Sequence, residues 1–285
     1  MPELPEVETV RRGLKKFILK KKIVKIDVLC EKSFIGESVL GTVKDLRRFG
    51  KALVIDLDNG NSLMIHLRMT GQLIFDDDSE GRYSAGHPSD NFIANLPNKQ
   101  TRVILEFENG TLYFNDQRKF GFIKSLKTPE VENDPFIKKL AKEPWDIEVD
   151  EFYEKLKKHQ KSPIKATILD QTIICGLGNI YADETLFASG IHPKRKAGTL
   201  TKNEAKEILH NAKKVMEKAI ESGGSTMATY VKADGTKGDY LENFAQVFHR
   251  EGKPCVKCHE KIIKIKVAGR GTHLCPNCQK EVKND

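Results

Sequence analysis

The sequence predicts an α+β chain of two domains: an antiparallel β-sandwich led by one helix, then a helical domain ending in a cysteine-held β-hairpin. Three observations predict it. Alternating apolar strands joined by Asn-Gly turns fill residues 1–125. Apolar residues at helical spacing take over in the second half. Two Cys-x-x-Cys pairs, Cys255/Cys258 and Cys275/Cys278, lie near the end of the chain. A length of 285 residues suits two ordinary domains.

Val7, Val10, Leu14, Phe17 and Ile18 recur every third or fourth position, which predicts a helix over 5–22. Val24, Ile26, Val28 and Cys30 alternate as in a strand. Asn59-Gly60 and Asn109-Gly110 each separate two apolar runs and predict type I′ hairpins. Residues 76–100 are polar and rich in Asp, Ser, Gly, Pro and Asn, and predict a long surface loop. Residues 126–160 form a connecting segment. Ser162-Pro163 then predicts a helix start, with Ser as N-cap and Pro at the first helical position. Gly176-Leu177-Gly178-Asn179 interrupts the chain before a helix over 180–189, which Gly190 and Pro193 end. Thr201 and Glu204 make a capping box for a long helix. Its apolar face runs from Ile208 to Ile220, and Gly223-Gly224 stops it. The expected divisions are 1–125, 126–160, 161–245 and 246–285.

Charge indicates the partner. Lys and Arg number 48 against 40 Asp and Glu, a net +8, so a polyanion is expected, with salt-sensitive binding. No run approaches the roughly 18 apolar residues of a membrane span, and the N-terminus lacks a signal-peptide core. Cys30 and Cys175 lie in apolar runs and are expected as buried thiols. This cysteine usage fits a reducing, cytoplasmic setting.

The four clustered cysteines follow the pattern C-x2-C-x16-C-x2-C, which suits one structural Zn²⁺ with no position open for water. His259 and His273 are surplus as ligands. Lys261–Val267 is expected as a strand, with Gly269-Arg270-Gly271 as the hairpin tip. At the other end, loss of Met1 would free the secondary amine of Pro2. Such an amine can attack a sugar carbon, with Glu3 beside it to move protons. A lone Met-Pro is otherwise an ordinary chain start. Asn179, after two glycines at a helix start, suits phosphate oxygens.

Five separated motifs carry a family resemblance: MPELPEVET (1–9), HLRMTG (66–71), DQRKFG (116–121), GLGNIYADE (176–184) and the paired cysteines. Together they resemble the formamidopyrimidine-DNA glycosylases, bacterial enzymes that excise oxidised purines, over nearly the whole chain. The resemblance implies a helix-two-turn-helix domain around Asn179 and a zinc finger at the end. It implies Pro2 as the nucleophile that forms a Schiff base with deoxyribose C1′, and Glu3 as its proton donor. Lys51 would contact phosphate and give a proton during elimination, and Arg270 would grip the phosphates beside the lesion. Met69, Arg118 and Phe120 match residues that fill the hole left by a flipped base; Met69 and Phe120 also suit core packing. His66, Lys165 and Asn179 match DNA contacts, with a strand-face core histidine as the rival reading of His66. Glu6, Ser225, Thr229 and Tyr230 match the base pocket; Glu6 also suits a helix N-terminus.

Three positions depart from the family pattern. Gln117 and Lys119 stand in DQRKFG, and Gln100 occupies a slot where the family often has a DNA-contacting His. The implied function is a monomeric, bifunctional repair enzyme: a glycosylase for 8-oxoguanine and formamidopyrimidines, then an abasic-site lyase acting by β,δ-elimination. Its partner would be double-stranded DNA with oxidised purines or abasic sites, without a redox cofactor or Mg²⁺. Two alternatives stand beside it: an endonuclease VIII-like enzyme for oxidised pyrimidines, and a non-catalytic damaged-DNA-binding protein. Leu4, Arg118 and Phe120 favour the purine enzyme over the first. Pro2, Glu3 and Lys51 argue against the second.

Overall fold

The computed structural model describes residues 1–79, 81–86, 95–225, 228–230 and 240–281. The chain forms two compact units, Met1–Lys138 with Ser222–Gly238, and Lys139–Glu221 with Asp239–Asp285. These do not follow the sequence divisions at 125 and 161–245. The reason lies in backbone pairing: a strand at Ala228–Tyr230 joins the first unit's sheet.

In the first unit α1 spans Leu4–Ile18. The strands are β1 (Lys22–Val28), β2 (Phe34–Ile35), β3 (Gly41–Phe49), β4 (Ala52–Leu57), β5 (Asn61–His66) and β6 (Gly71–Asp77). β7 (Gly81–Gly86), β8 (Thr101–Phe107), β9 (Gly110–Asp116) and β10 (Phe122–Lys127) follow, then the short α2 (Pro135–Lys138). The second unit holds α3 (Val149–Lys158), α4 (Ile164–Ile168), α5 (Asn179–Ala188) and α6 (Lys202–Glu221). Strand β11 (Ala228–Tyr230) returns to the first unit, and β12 (Ile263–Val267) and β13 (Arg270–Leu274) finish the second.

The strand order is β11-β7-β6-β9-β8-β1-β3-β4-β5-β10-β2. β1 meets β3 only at Lys22↔Thr42 and Ile23↔Gly41. That narrow join lets the sheet fold over into the two layers of a sandwich. α1 supplies Val7, Val10, Leu14, Phe17 and Ile18 to a core shared by both layers, including Leu46, Ile55, Ile65, Phe75, Leu105 and Phe114.

Local chemistry explains where the elements depart from expectation. α1 stops at Ile18, not at 22, because the apolar spacing ends there. Lys20 turns into the left-handed region, φ 64°, and its N–H bonds Val43 O at 2.9 Å. Neither Asn-Gly pair makes a type I′ turn, which needs positive φ at both central residues. Gly60 is left-handed but Asn59 is not, and 58–60 make a three-residue connection. Gly110 sits inside β9 opposite Phe107. A Cβ there would come within 2.3 Å of Asp76 O.

The expected loop over 76–100 contains a strand. β7 pairs along β6 from Gln72↔Gly86 to Asp77↔Gly81. Polar composition hid it: Arg82 pairs with Asp76 on one face while Tyr83 stacks on Phe17, ring centroids 5.6 Å apart, on the other. Ser162 is not the cap expected. Pro163 takes the N-cap position with extended ψ 139°, bridged to Lys196, and the helix that follows has five residues. The Thr201–Glu204 box is present and reciprocal: Thr201 N–H donates to Glu204 Oε2 at 2.8 Å and Glu204 N–H to Thr201 Oγ1 at 3.2 Å.

Candidate functional site

In the first unit the candidate chemistry sits at the start of α1. Pro2 is buried, and Glu3, 2% exposed, is the N-cap. Glu6, at N3, completes a capping box, its Oε2 accepting Glu3 N–H at 2.8 Å. Its other oxygen accepts Ser225 N–H at 2.9 Å. Glu6 is thus a clamp between the helix start and the chain after α6, in keeping with its reading as a residue of the helix N-terminus. Gly224, φ 85°, permits this approach, since a Cβ there would lie 3.3 Å from Glu6 Cγ. Ser225 is buried against the same carboxylate. Thr229 and Tyr230 lie in β11, paired with Ser84 and Tyr83; their side chains lie outside the described residues.

Lys51 is 7% exposed, not the solvated edge residue that a strand entry suggests. Its turn is fixed from α1. Arg48 donates to Gly50 O at 3.0 Å and to Glu8 Oε2 at 3.1 Å. Burial pushes the Glu8 carboxyl up, but hydrogen bonds from Arg11, Arg12 and Arg48 outweigh it and hold the group at about 2. His66, next to this turn through the Ala52↔His66 pair, is 5% exposed. Burial, with Arg68 and Lys51 nearby, lowers its pKa to about 3, so the ring is neutral. Nδ1 accepts Arg68 N–H at 3.0 Å, and Phe136 meets the ring edge-on at 5.2 Å. His66 is therefore a packed, neutral ring whose Nε2 carries the proton.

Met69, Arg118 and Phe120 are all exposed, Met69 by 39% and Phe120 by 56%. Core packing is excluded for them. Arg118 lies over the Phe120 ring at 4.8 Å, a cation–π contact. Asp116, which sequence reasoning passed over, binds the backbone of this loop. Gln100 is buried, its backbone O accepting Asp116 N–H at 2.9 Å, and its Oε1 has no partner among the described residues.

In the second unit, Lys165 is fully buried, not presented for a DNA contact. Its ammonium meets Asp183 Oδ1 at 2.7 Å, Thr272 Oγ1 at 2.8 Å and Gly271 O at 3.0 Å. It locks α4 and α5 to β13, directly behind Arg270. Replacing Lys165 with Met leaves Asp183 buried without its cation. A loss of about 3–5 kcal/mol is expected, as for other broken buried pairs, measured by urea unfolding. Asn179 opens α5, and its Nδ2 also turns to Gly271 O, at 3.1 Å. Gln171, another residue the sequence did not flag, shapes the glycine loop. Its amide donates to Leu169 O and Leu177 O, both at 2.9 Å, and accepts Gly176 N–H at 3.0 Å. Glu184 accepts three backbone N–H groups, from Gln246, Val247 and Phe248, at 2.8–2.9 Å.

Arg270 is exposed and makes no ion pair among the described residues. It is not at the centre of the tip. Val267 pairs with Arg270, so Ala268 and Gly269, φ 46° and 81°, form the turn and Arg270 opens β13. At the base of this hairpin the four candidate ligand atoms of Cys255, Cys258, Cys275 and Cys278 lie within 4.8 Å of one another. Three of the Sγ separations are 3.8, 3.5 and 3.4 Å. A tetrahedron with Zn–S near 2.3 Å has edges of about 3.8 Å. The donor set therefore fits one Zn²⁺ with its coordination complete, so the ion would hold the hairpin and leave no site for a reactant.

Comparison with known proteins covers both units. The family model described as formamidopyrimidine-DNA glycosylase N-terminal domain matches residues 1–123, and its H2TH domain matches 140–231. The zinc finger found in FPG and IleRS matches 252–280. The formamidopyrimidine-DNA glycosylase of an Exiguobacterium species is 38% identical, aligned over 98% of this chain and 99% of its own. That of Pelotomaculum thermopropionicum is 40% identical with the same coverage. Among solved structures, a point mutant of Lactococcus lactis FPG in complex with a Fapy-dG-containing DNA has a TM-score of 0.85 at 35% identity. Lactococcus lactis Fpg with an abasic-site DNA has 0.84 at 34%; both cover 98% of this chain and 100% of the relative. On sequence, fold and cysteine site together, this chain belongs to the formamidopyrimidine-DNA glycosylase family.

Proposed function

We propose that this protein is a bifunctional DNA repair enzyme, a glycosylase for 8-oxoguanine and formamidopyrimidines and a lyase at the resulting abasic site. The observation that carries the reading is the buried Pro2-Glu3 start, held at the head of α1 by Glu6. Relatives solved with Fapy-dG and abasic DNA support the substrate class. After removal of Met1, the Pro2 nitrogen attacks C1′ and the bond from C1′ to the base breaks. Glu3 protonates the ring oxygen, the sugar opens, and an iminium links Pro2 to C1′. The iminium acidifies the C2′ proton. Its loss expels the 3′ phosphate, and a second elimination expels the 5′ phosphate. Lys51 contacts phosphate and supplies a proton during elimination.

Arg270 and Asn179 serve the phosphates, Met69, Arg118 and Phe120 the emptied stack, with Arg118 facing the orphaned cytosine. Ser225, Thr229 and Tyr230 are assigned to recognition of the flipped base on the family resemblance alone. The enzyme works as a monomer on duplex DNA in the bacterial cytoplasm. Among the described residues no helix is long and apolar enough to cross a membrane. Borohydride should trap a covalent complex with an 8-oxoguanine duplex, and peptide mapping should place the adduct at residue 2. An adduct at Lys51 or Lys165 would overturn the mechanism. Binding without trapping would favour a non-catalytic damage-binding protein.

A second reading has its own support. Wild-type Lactococcus lactis Fpg has been solved with an oxidised-pyrimidine DNA, TM-score 0.83 at 35% identity. Parallel excision assays on 8-oxoguanine and oxidised-thymine duplexes separate the two, a faster rate on the thymine lesion favouring the endonuclease VIII-like reading. For the phosphate role, Arg270→Ala should weaken binding and lower the slope of log affinity against log salt by roughly one unit. An unchanged salt titration would make Arg270 a solvated strand residue.

A further inference from the structure

The loop bearing Arg118 and Phe120 is tied to the loop bearing Met69 through the Asp116 carboxylate and the Thr70 hydroxyl. Asp116 is fully buried at the end of β9. Its Oδ2 accepts Gly121 N–H at 2.7 Å and its Oδ1 accepts Arg118 N–H at 3.1 Å. The Thr70 hydroxyl donates to the same Oδ1, and accepts Arg118 N–H at 3.0 Å. From behind, Arg102 donates its Nε–H to Asp116 O at 2.7 Å. Lys119, between the two exposed side chains, is held left-handed at φ 58°. Gly121 admits no Cβ, which would lie 2.8 Å from Phe114 Cζ and 3.2 Å from Asp116 Oδ2.

The hub therefore braces the loops that carry the exposed triad from inside. Ordering such loops during binding would cost conformational entropy, and a preformed loop avoids that cost. A buried carboxylate that lost one of these donors would be left badly solvated, so the arrangement is set as a unit. We propose that Asp116 is a positioning residue for base extrusion: it presents Met69, Arg118 and Phe120 as a rigid wedge ready to enter the stack. This rests on the proposed glycosylase function. Asp116 touches no reacting atom. It acts on the step in which the damaged base leaves the duplex, and not on bond breaking at the sugar.

The test compares two substrates. One is an 8-oxoguanine duplex, where a base must leave the stack. The other is a single-stranded abasic oligonucleotide, where none must. For Asp116→Asn and for the milder Thr70→Val, the ratio of duplex excision to single-strand trapping should fall at least tenfold and about threefold. A 2-aminopurine next to the lesion should brighten more slowly on mixing. On a Phe120→Ala background the same substitutions should have little further effect, because the wedge they support is already gone. An unchanged ratio, or full additivity with Phe120→Ala, would overturn the proposal. If Asp116→Asn fails to fold, Thr70→Val carries the test alone. Failure of the unaltered protein to trap abasic DNA would instead overturn the glycosylase–lyase reading.

Discussion

A form of the protein that keeps any residue in front of Pro2 is expected to bind damaged duplex yet lose excision and covalent trapping completely. The reason is electronic. A proline nitrogen inside a peptide bond shares its lone pair with the carbonyl and is not a nucleophile. A free α-amino group has a pKa near 8, so a useful fraction is neutral at pH 7 without any buried, perturbed lysine. Pro2 and Glu3 are already packed at the head of α1, so the change is chemical more than conformational. Glu3→Gln should follow the same pattern with a smaller loss. It keeps the shape but not the transferable proton, and general-acid catalysis is worth about 10²–10⁴ in rate. Single-turnover excision with borohydride trapping, on tagged, untagged and Glu3→Gln protein, checks both. Full activity with an uncleaved tag would end the Pro2 mechanism.

The second large effect is expected at the cysteines. Cys275→Ser removes one thiolate from a set in which three Sγ separations, 3.8, 3.5 and 3.4 Å, are close to the edges of a tetrahedron of zinc ligands. Binding of a structural zinc is folding free energy, about 10–16 kcal/mol in isolated finger peptides. The small core here, Phe187, Val247 and Ile262 around Cys255 and Cys275, does not replace it. The hairpin should therefore unfold and take Arg270 with it. Zinc content measured by atomic emission should drop to near zero, and affinity for lesion duplex should fall with it, at least tenfold. A zinc-free variant that binds normally would show that the finger does not carry a phosphate contact.

Much of this architecture was legible because its determinants are local. The spacing of Val7, Val10 and Leu14, the Thr201–Glu204 box and the paired cysteines each act within a few residues. What was not legible depends on partners far away in sequence. Lys165 matched a DNA-contacting lysine, but Asp183 and Thr272 claim it. Glu6 accepts Ser225 N–H with its second oxygen, from 219 residues further along the chain. Asp116 and Gln171 spend their side chains on backbone groups, a role that residue type alone does not announce. The strand at 81–86 was missed because its apolar signal rests on Tyr83 facing Phe17 across the core.

Strand β11 sets a timetable for the molecule's birth. It lies in sequence after α6, yet pairs with β7 of the amino-terminal sheet. Domains generally fold as their residues leave the ribosome, amino-terminal first. Here the first sheet stays open along β7 until residues 139–221, the first and larger segment of the second unit, have been made. During that interval its edge offers unpaired N–H and C=O groups to any passing strand. The nascent protein is thus most vulnerable to aggregation in mid-synthesis, and a ribosome stalled before Ala228 would hold a chain with that edge still bare.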